Sequence, residues 1–248
     1  TEEGTYTLVA SAEDAAGNLT TKTVSFTIDL TAPVIDITGV TDGGNYKTAV
    51  TPVIDIQGAT GQPVVTLNGE TYAPGTPITA DGEYTLLVTA TDEAGNTTTT
   101  TITFVIDTVA PEITVEGVTD GGSHKAPVTP VVTVSGETSK TITLNGEAWT
   151  PVELTEEGTY TLVVTAEDAA GNLTTKTVSF TIDTTAPVVE ITGVEDKESY
   201  NTTVTPVVTI SDATSQTITL NGATYAPGTD VTEEGTYTLV ASAEDAAG

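Results

Sequence analysis

Cysteine, methionine and arginine are absent from the 248 residues, and histidine and tryptophan occur once each, as His124 and Trp149. Without cysteine there is no disulfide, no thiolate nucleophile and no cysteine-ligated metal. The compartment stays open, because oxidising compartments permit disulfides without requiring them. Basic charge is also scarce: six Lys stand against 35 Asp and Glu, for a formal net charge of −29. Phosphate backbones and anionic lipid surfaces are bound by clustered Lys and Arg, so nucleic acid and polybasic membrane contact are excluded. No segment approaches the roughly 18 consecutive apolar residues of a membrane helix, and the start shows no signal-peptide pattern. The chain does not begin with Met, which reads as a fragment or a processed product. Threonine is abundant, with 58 copies. At 37% hydrophobic and 17% charged, the chain can build cores and lacks the composition of a disordered acidic tail.

Internal periodicity decides the organisation. The string Glu13-Asp14-Ala15-Ala16-Gly17-Asn18 returns at 92–96, 167–172 and 244–248, and its aligned Asp14, Asp92, Asp168 and Asp245 lie 78, 76 and 77 positions apart. Gly-x-Tyr recurs at Gly4/Tyr6, Gly82/Tyr84, Gly158/Tyr160 and Gly235/Tyr237, and Leu-Asn-Gly at 67–69, 144–146 and 220–222. Ala-Pro recurs at Pro33, Pro111 and Pro187. Residues 1–17 and 232–248 are identical, and both ends fall inside a repeat. The expectation is a window on a longer array with a higher period of 231 residues. A subunit whose half-domains complete each other head to tail is the rival. The expected division is 1–29 as the C-terminal part of a repeat, 30–107 and 108–183 as complete repeats, and 184–248 as a repeat lacking its last strand.

Within 30–107 every segment reads as strand. Ile35 and Ile37 alternate with Asp36, and Pro52 opens a strand with Ile54 and Ile56 inward. Val65-Thr66-Leu67 meets Asn68-Gly69, a hairpin signal because both residues tolerate positive φ. Tyr84, Leu86, Val88 and Ala90 share one face of a longer strand, and Ile102, Phe104 and Ile106 one face of the last. About seven short strands with turn signals every 8–12 residues predict a two-sheet antiparallel sandwich. Threonine suits the solvated face of such strands.

The stretch Thr-Glu-Glu-Gly-Thr-Tyr-Thr-Leu at 155–162 resembles the tyrosine corner of immunoglobulin-like domains, with Tyr6, Tyr84, Tyr160 and Tyr237 in the corner position. Leu8, Leu86, Leu162 and Leu239 stand where antibody domains place a Cys. With Asp-x-Ala-Gly-Asn before the last strand and Asp-Thr-x-Ala-Pro at the seam, the repeat resembles the bacterial immunoglobulin-like (Big-type) tandem repeats of large cell-surface adhesins and surface-layer-associated proteins. The resemblance covers the whole chain. It implies an all-β fold of tandem immunoglobulin-like antiparallel β-sandwich domains of about 77 residues, end to end, with seams at 29–33, 107–111 and 183–187. Proline in each seam restricts its own φ and biases the preceding Ala toward extended conformations, so the linkers are expected to be stiff.

Catalysis finds little support. The carboxylates recur in turns or at outward strand positions, whereas an acid–base pair needs separated environments. His124 stands where other repeats have Tyr46 and Tyr200, so the array does not keep an imidazole. Trp149 aligns with Tyr72 and Tyr225, a packed sheet edge or a sugar platform. Calcium is the leading cofactor candidate, since hard cations take several carboxylate and carbonyl oxygens at one point. Immunoglobulin-like topology would gather Asp42, Asp107, Glu167 and Asp168 at the second seam, and Asp120, Asp183, Glu244 and Asp245 at the third. Asp29 and Asp92 would meet at the first. In the adhesin repeats that the chain resembles, calcium at junctions stiffens the array. Plain turn chemistry accounts for the same Asp-Gly and Asp-x-Ala-Gly-Asn strings without metal.

The expected function is a structural, non-catalytic extracellular stalk or fibre on a bacterial cell surface, or a secreted fibre, stiffened by calcium. Its partners would be neighbouring copies of the repeat and other copies of the fibre, with no nucleic acid and no membrane insertion. One alternative is a self-assembling filament subunit with lateral or head-to-tail contacts. The other is a carbohydrate- or receptor-binding adhesin module using Tyr72, Trp149 and Tyr225.

Overall fold

The computed structural model describes residues 2–248, all of it strand, turn or coil and none of it helix. Contacts divide the chain into two compact units: Thr1–Ala110 with Asp168–Asn172, and Pro111–Glu167 with Leu173–Gly248. In the first unit, β1 (Gly4–Glu13) and β2 (Leu19–Ile28) form a hairpin of ten residue pairs. A complete repeat follows: β3 (Val34–Thr38), β4 (Gly44–Tyr46), β5 (Val53–Gln57), β6 (Val64–Leu67), β7 (Glu70–Thr71), β8 (Gly82–Thr91) and β9 (Thr97–Ile106). One sheet has the order β4-β9-β8-β6-β7, with β4 parallel to β9, and the other pairs β3 with β5. Val50 and Ile78 add one isolated antiparallel bridge.

The two sheets close on a core because their inward positions alternate. Leu86, Val88, Ile102, Phe104 and Ile106 are buried, and Ile35, Ile37, Ile54 and Ile56 of the facing sheet pack against them. Asn68 and Gly69 both take positive φ, 51° and 85°, which closes the β6–β7 hairpin without splaying its strands. Asp42 docks the turn after β3 onto the last strand: its carboxylate accepts from Thr103 N and Oγ1 at 2.8 and 2.9 Å, while Gly43 N donates to Thr103 O.

The second unit repeats the plan. β10 (Glu112–Glu116), β11 (Gly122–His124), β12 (Val131–Ser135), β13 (Ser139–Leu144), β14 (Glu147–Ala148), β15 (Gly158–Glu167) and β16 (Leu173–Ile182) form a second complete repeat with the same sheet orders. Its core joins Leu162, Val164, Val178, Phe180 and Ile182 to Ile113, Val115, Val132 and Val134. A third copy runs from β17 (Val188–Thr192) through β18 (Val207–Ser211), β19 (Ser215–Leu220) and β20 (Ala223–Thr224) to β21 (Leu239–Glu244). These are tandem antiparallel β-sandwiches, as the alternation of the sequence predicts.

Candidate functional site: the repeat seams

The seams hold the densest recurring polar chemistry. Each linker begins with an Asp whose carboxylate turns back on its own backbone: Asp29 accepts from Thr31 N, Asp107 from Val109 N and Asp183 from Thr185 N, at 3.0, 3.0 and 3.2 Å. A second acid, three residues before the corner tyrosine, reaches forward to the same linker. Glu3 accepts from Leu30 N and Thr31 Oγ1, both at 2.8 Å. Asp81 accepts from Thr108 N and Oγ1, both at 3.0 Å. Glu157 accepts from Thr184 N and from the hydroxyls of Thr184 and Thr185 at 2.9, 2.6 and 2.7 Å.

From the other side comes the Asp-x-Ala-Gly-Asn loop. Asp168 is nearly buried, and its Oδ1 accepts from Ala170 N and Asn172 N at 2.8 and 2.9 Å. Its Oδ2 takes one hydrogen of Asn172 Nδ2 at 2.8 Å, and the other goes to the carbonyl of Asp107 at 2.7 Å. The first seam is built alike, with Asn96 Nδ2 donating to Asp92 Oδ2 at 2.8 Å and to the Asp29 carbonyl at 3.1 Å. The first hairpin carries the same loop, Asn18 Nδ2 meeting Asp14 Oδ2 at 2.9 Å. Lysine adds a further donor: Lys47 Nζ lies 3.1 Å from the Gly171 carbonyl, and Lys125 Nζ lies 2.9 Å from that of Gly248, the matching loop position.

These donors set the electrostatics. The Asn18 and Asn96 side chains hold the carboxyls of Asp14 and Asp92 below their ordinary value. Burial pushes Asp168 up, but Asn172 and the loop amides outweigh it and the net shift is downward. The Thr103 amide lowers Asp42, and the Thr184 and Thr185 hydroxyls lower Glu157. In each case a hydrogen bond favours the charged form.

Most of the residues expected to ligate calcium have other partners for their carboxylates. Asp42 and Asp120 are bound to the last strand of their own repeat, Asp120 through Ser179 N at 2.8 Å. Asp168 meets Asp107 only through Asn172, and Asp92 meets Asp29 only through Asn96. Asp245 accepts from Ala247 N and Gly248 N. Glu167 and Glu244 are exposed and offer their main-chain carbonyls to Thr138 and Thr214. Among the described residues no three His, Asp or Glu side chains gather to hold a metal ion. As placed, the aspartates do not converge on a hard cation, because their oxygens face amides and hydroxyls rather than a common point.

The corner tyrosines all bond to the carbonyl four residues upstream: Tyr6 to Glu2, Tyr84 to Ala80 and Tyr160 to Glu156 at 2.8 Å, and Tyr237 to Glu233 at 2.9 Å. Tyr6, Tyr84 and Tyr160 also stack on Phe26, Phe104 and Phe180 across the strand pair. Tyr72 and Tyr225 are buried, with hydroxyls on the carbonyls of Thr76 and Thr229, and Trp149 packs against the second core. None of the three is laid out as an open ring face. Sequence reasoning passed over Glu3, Asp81, Glu157, Asn96, Asn172, Lys47 and Lys125 as seam residues. The available signal was that an acid, an amide and a lysine each recur at a fixed step.

The model of the bacterial Ig-like domain family matches residues 31–108 and 112–184. Bacillopeptidase F of Bacillus subtilis (strain 168) is 30% identical over 182 residues, which are 65% of this chain and 13% of that protein. The serine-rich adhesin for platelets of Staphylococcus aureus is 33% identical over 123 residues, 44% of this chain and 5% of the adhesin. The chain thus spans a small part of the curated relatives it matches. A solved structure of a Ca2+-stabilized adhesin that helps an Antarctic bacterium reach out and bind ice is 27% identical, with a TM-score of 0.24, over 96% of this chain and 73% of that one.

Proposed function

We propose, from the chain's membership of the bacterial Ig-like domain family, that it is a non-catalytic extracellular stalk or spacer. It would sit on a bacterial cell surface or in a secreted fibre. The observation that carries this reading is the two-sided hold on the first two linkers. At the second seam Asp81 binds Thr108 from one side and Asn172 binds the Asp107 carbonyl from the other. Short, proline-limited linkers tied on both sides transmit direction, whereas a Gly/Ser tether does not. The adhesin relative supports a surface setting. The peptidase named by the other relative has most of its length outside the matched stretch.

Calcium stiffening remains part of this reading only if Asp107, Asp168 and their neighbours exchange their amide partners for the ion. For a lateral filament, the five-stranded sheets are poor templates, because their edges are β4 and β7, three and two residues long. Very short edge strands blunt strand addition. For a glycan-binding module, the hydroxyls of Tyr72 and Tyr225 are already engaged with carbonyls. Small-angle scattering of the full chain tests the stalk: the maximum dimension should grow by roughly 40 Å per repeat. A profile matching a compact sphere of the same mass overturns it.

A further inference from the structure

We propose that the seams are locked by amide and ammonium donors standing in the place of a divalent cation, so that their order does not depend on calcium. Calcium needs six to eight oxygens free to converge. At the second seam both Asp168 oxygens and Oδ1 of Asp107 already accept hydrogen bonds. The Asp107 carbonyl is likewise taken by Asn172, and the Gly171 carbonyl by Lys47. A calcium ion would have to compete with these donors for the same oxygens.

The lysines supply the positive charge that such an acidic seam otherwise lacks. Only six lysines occur in the chain, yet two stand at the same step of successive repeats, Lys47 after Tyr46 and Lys125 after His124. Lys47 reaches the Gly171 carbonyl and Lys125 the terminal oxygen of Gly248, matching positions of an Asp-x-Ala-Gly loop more than 120 residues away in sequence. The contact is made twice by the same pair of positions. Asn172 and Asn96 do the neutral part of the task, because one amide spans loop carboxylate and linker carbonyl together.

The absence of cysteine makes the test direct. Spin labels placed at Glu70→Cys and Ala169→Cys, both exposed and in the same compact unit, report the distance distribution between the first complete repeat and the Asp-x-Ala-Gly-Asn loop in the full chain. The expected result is a narrow distribution that neither added calcium nor a chelator alters. Lys47→Ala should broaden it about two-fold at low salt and less at high salt, as for an exposed charge-assisted bond. Asn172→Ala should broaden it at any salt. If Asn172→Ala also loosens its own loop, Lys47→Ala decides, since that side chain is exposed. Narrowing by calcium, broadening by chelator, or a Lys47→Ala distribution like the parent overturns the lock. Any of these leaves the stalk reading standing, and a compact scattering profile would overturn the stalk without touching the lock.

Discussion

Two positions in the second complete repeat carry a ring whose polar atom falls short of a partner. Tyr46 and Tyr200 accept from the amides of Thr41 and Glu195 at 2.7 Å, but His124, in the same place, leaves Nε2 buried and unpaired. Tyr72 and Tyr225 donate to the carbonyl four residues on, whereas Trp149 leaves Nε1 buried and unpaired. A buried unmade hydrogen bond costs about 1–3 kcal/mol. Both rings are otherwise packed, His124 edge-on against Phe180 with centroids 6.0 Å apart, so tyrosine fits without repacking the core. Trp149→Tyr and His124→Tyr should each stabilise by about 1 kcal/mol, read as a higher midpoint in thermal or urea unfolding. A lowered midpoint in both would show that ring volume, not the missing bond, governs these sites.

At the scale of elements, one string serves two environments. Leu8 in β1 and Leu86 in β8 occupy the same repeat position, yet Leu8 is 62% exposed and Leu86 fully buried. Leu86→Ala should therefore cost about 2–5 kcal/mol. Leu8→Ala should stay within about 0.5 kcal/mol. Equal losses in denaturant titrations would mean that β1 is covered in solution. The strands were readable because Ile, Val and Leu alternate with Thr and Asp, and the hairpins because Asn-Gly fixes the sign of φ. The seam was not. Asn172 finds its carbonyl 65 residues away and Lys47 its own 124 residues away, and nothing local in the sequence encodes either pairing. The acids are legible as a recurring set, but which donors take up their oxygens is decided by the tertiary fold. Asp42 shows this: a turn residue by sequence, it acts as a bridge to Thr103 of the last strand.

For the whole molecule, a formal charge of −29 sets two opposing dependences on pH. Lowering the pH from neutral removes self-repulsion and favours the compact state. Against this, Asp14, Asp42, Asp92, Asp168, Glu137 and Glu157 are all held below their ordinary values of 3.8 or 4.5 in the folded chain. A depressed folded value means the unfolded chain binds protons first, so this stability is present above 3.8 to 4.5 and is lost as pH falls through the folded values. Calorimetry across this range should show the melting temperature holding or rising from pH 7 to about 5 and dropping below about 4. The double variant Asn96→Ala with Asn172→Ala tests the cause, because it removes the side-chain donors that lower Asp92 and Asp168. The variant should be less stable at pH 7, and its melting temperature should fall less steeply between pH 5 and 3. Parallel curves for variant and parent would place the acid sensitivity elsewhere than in the seams.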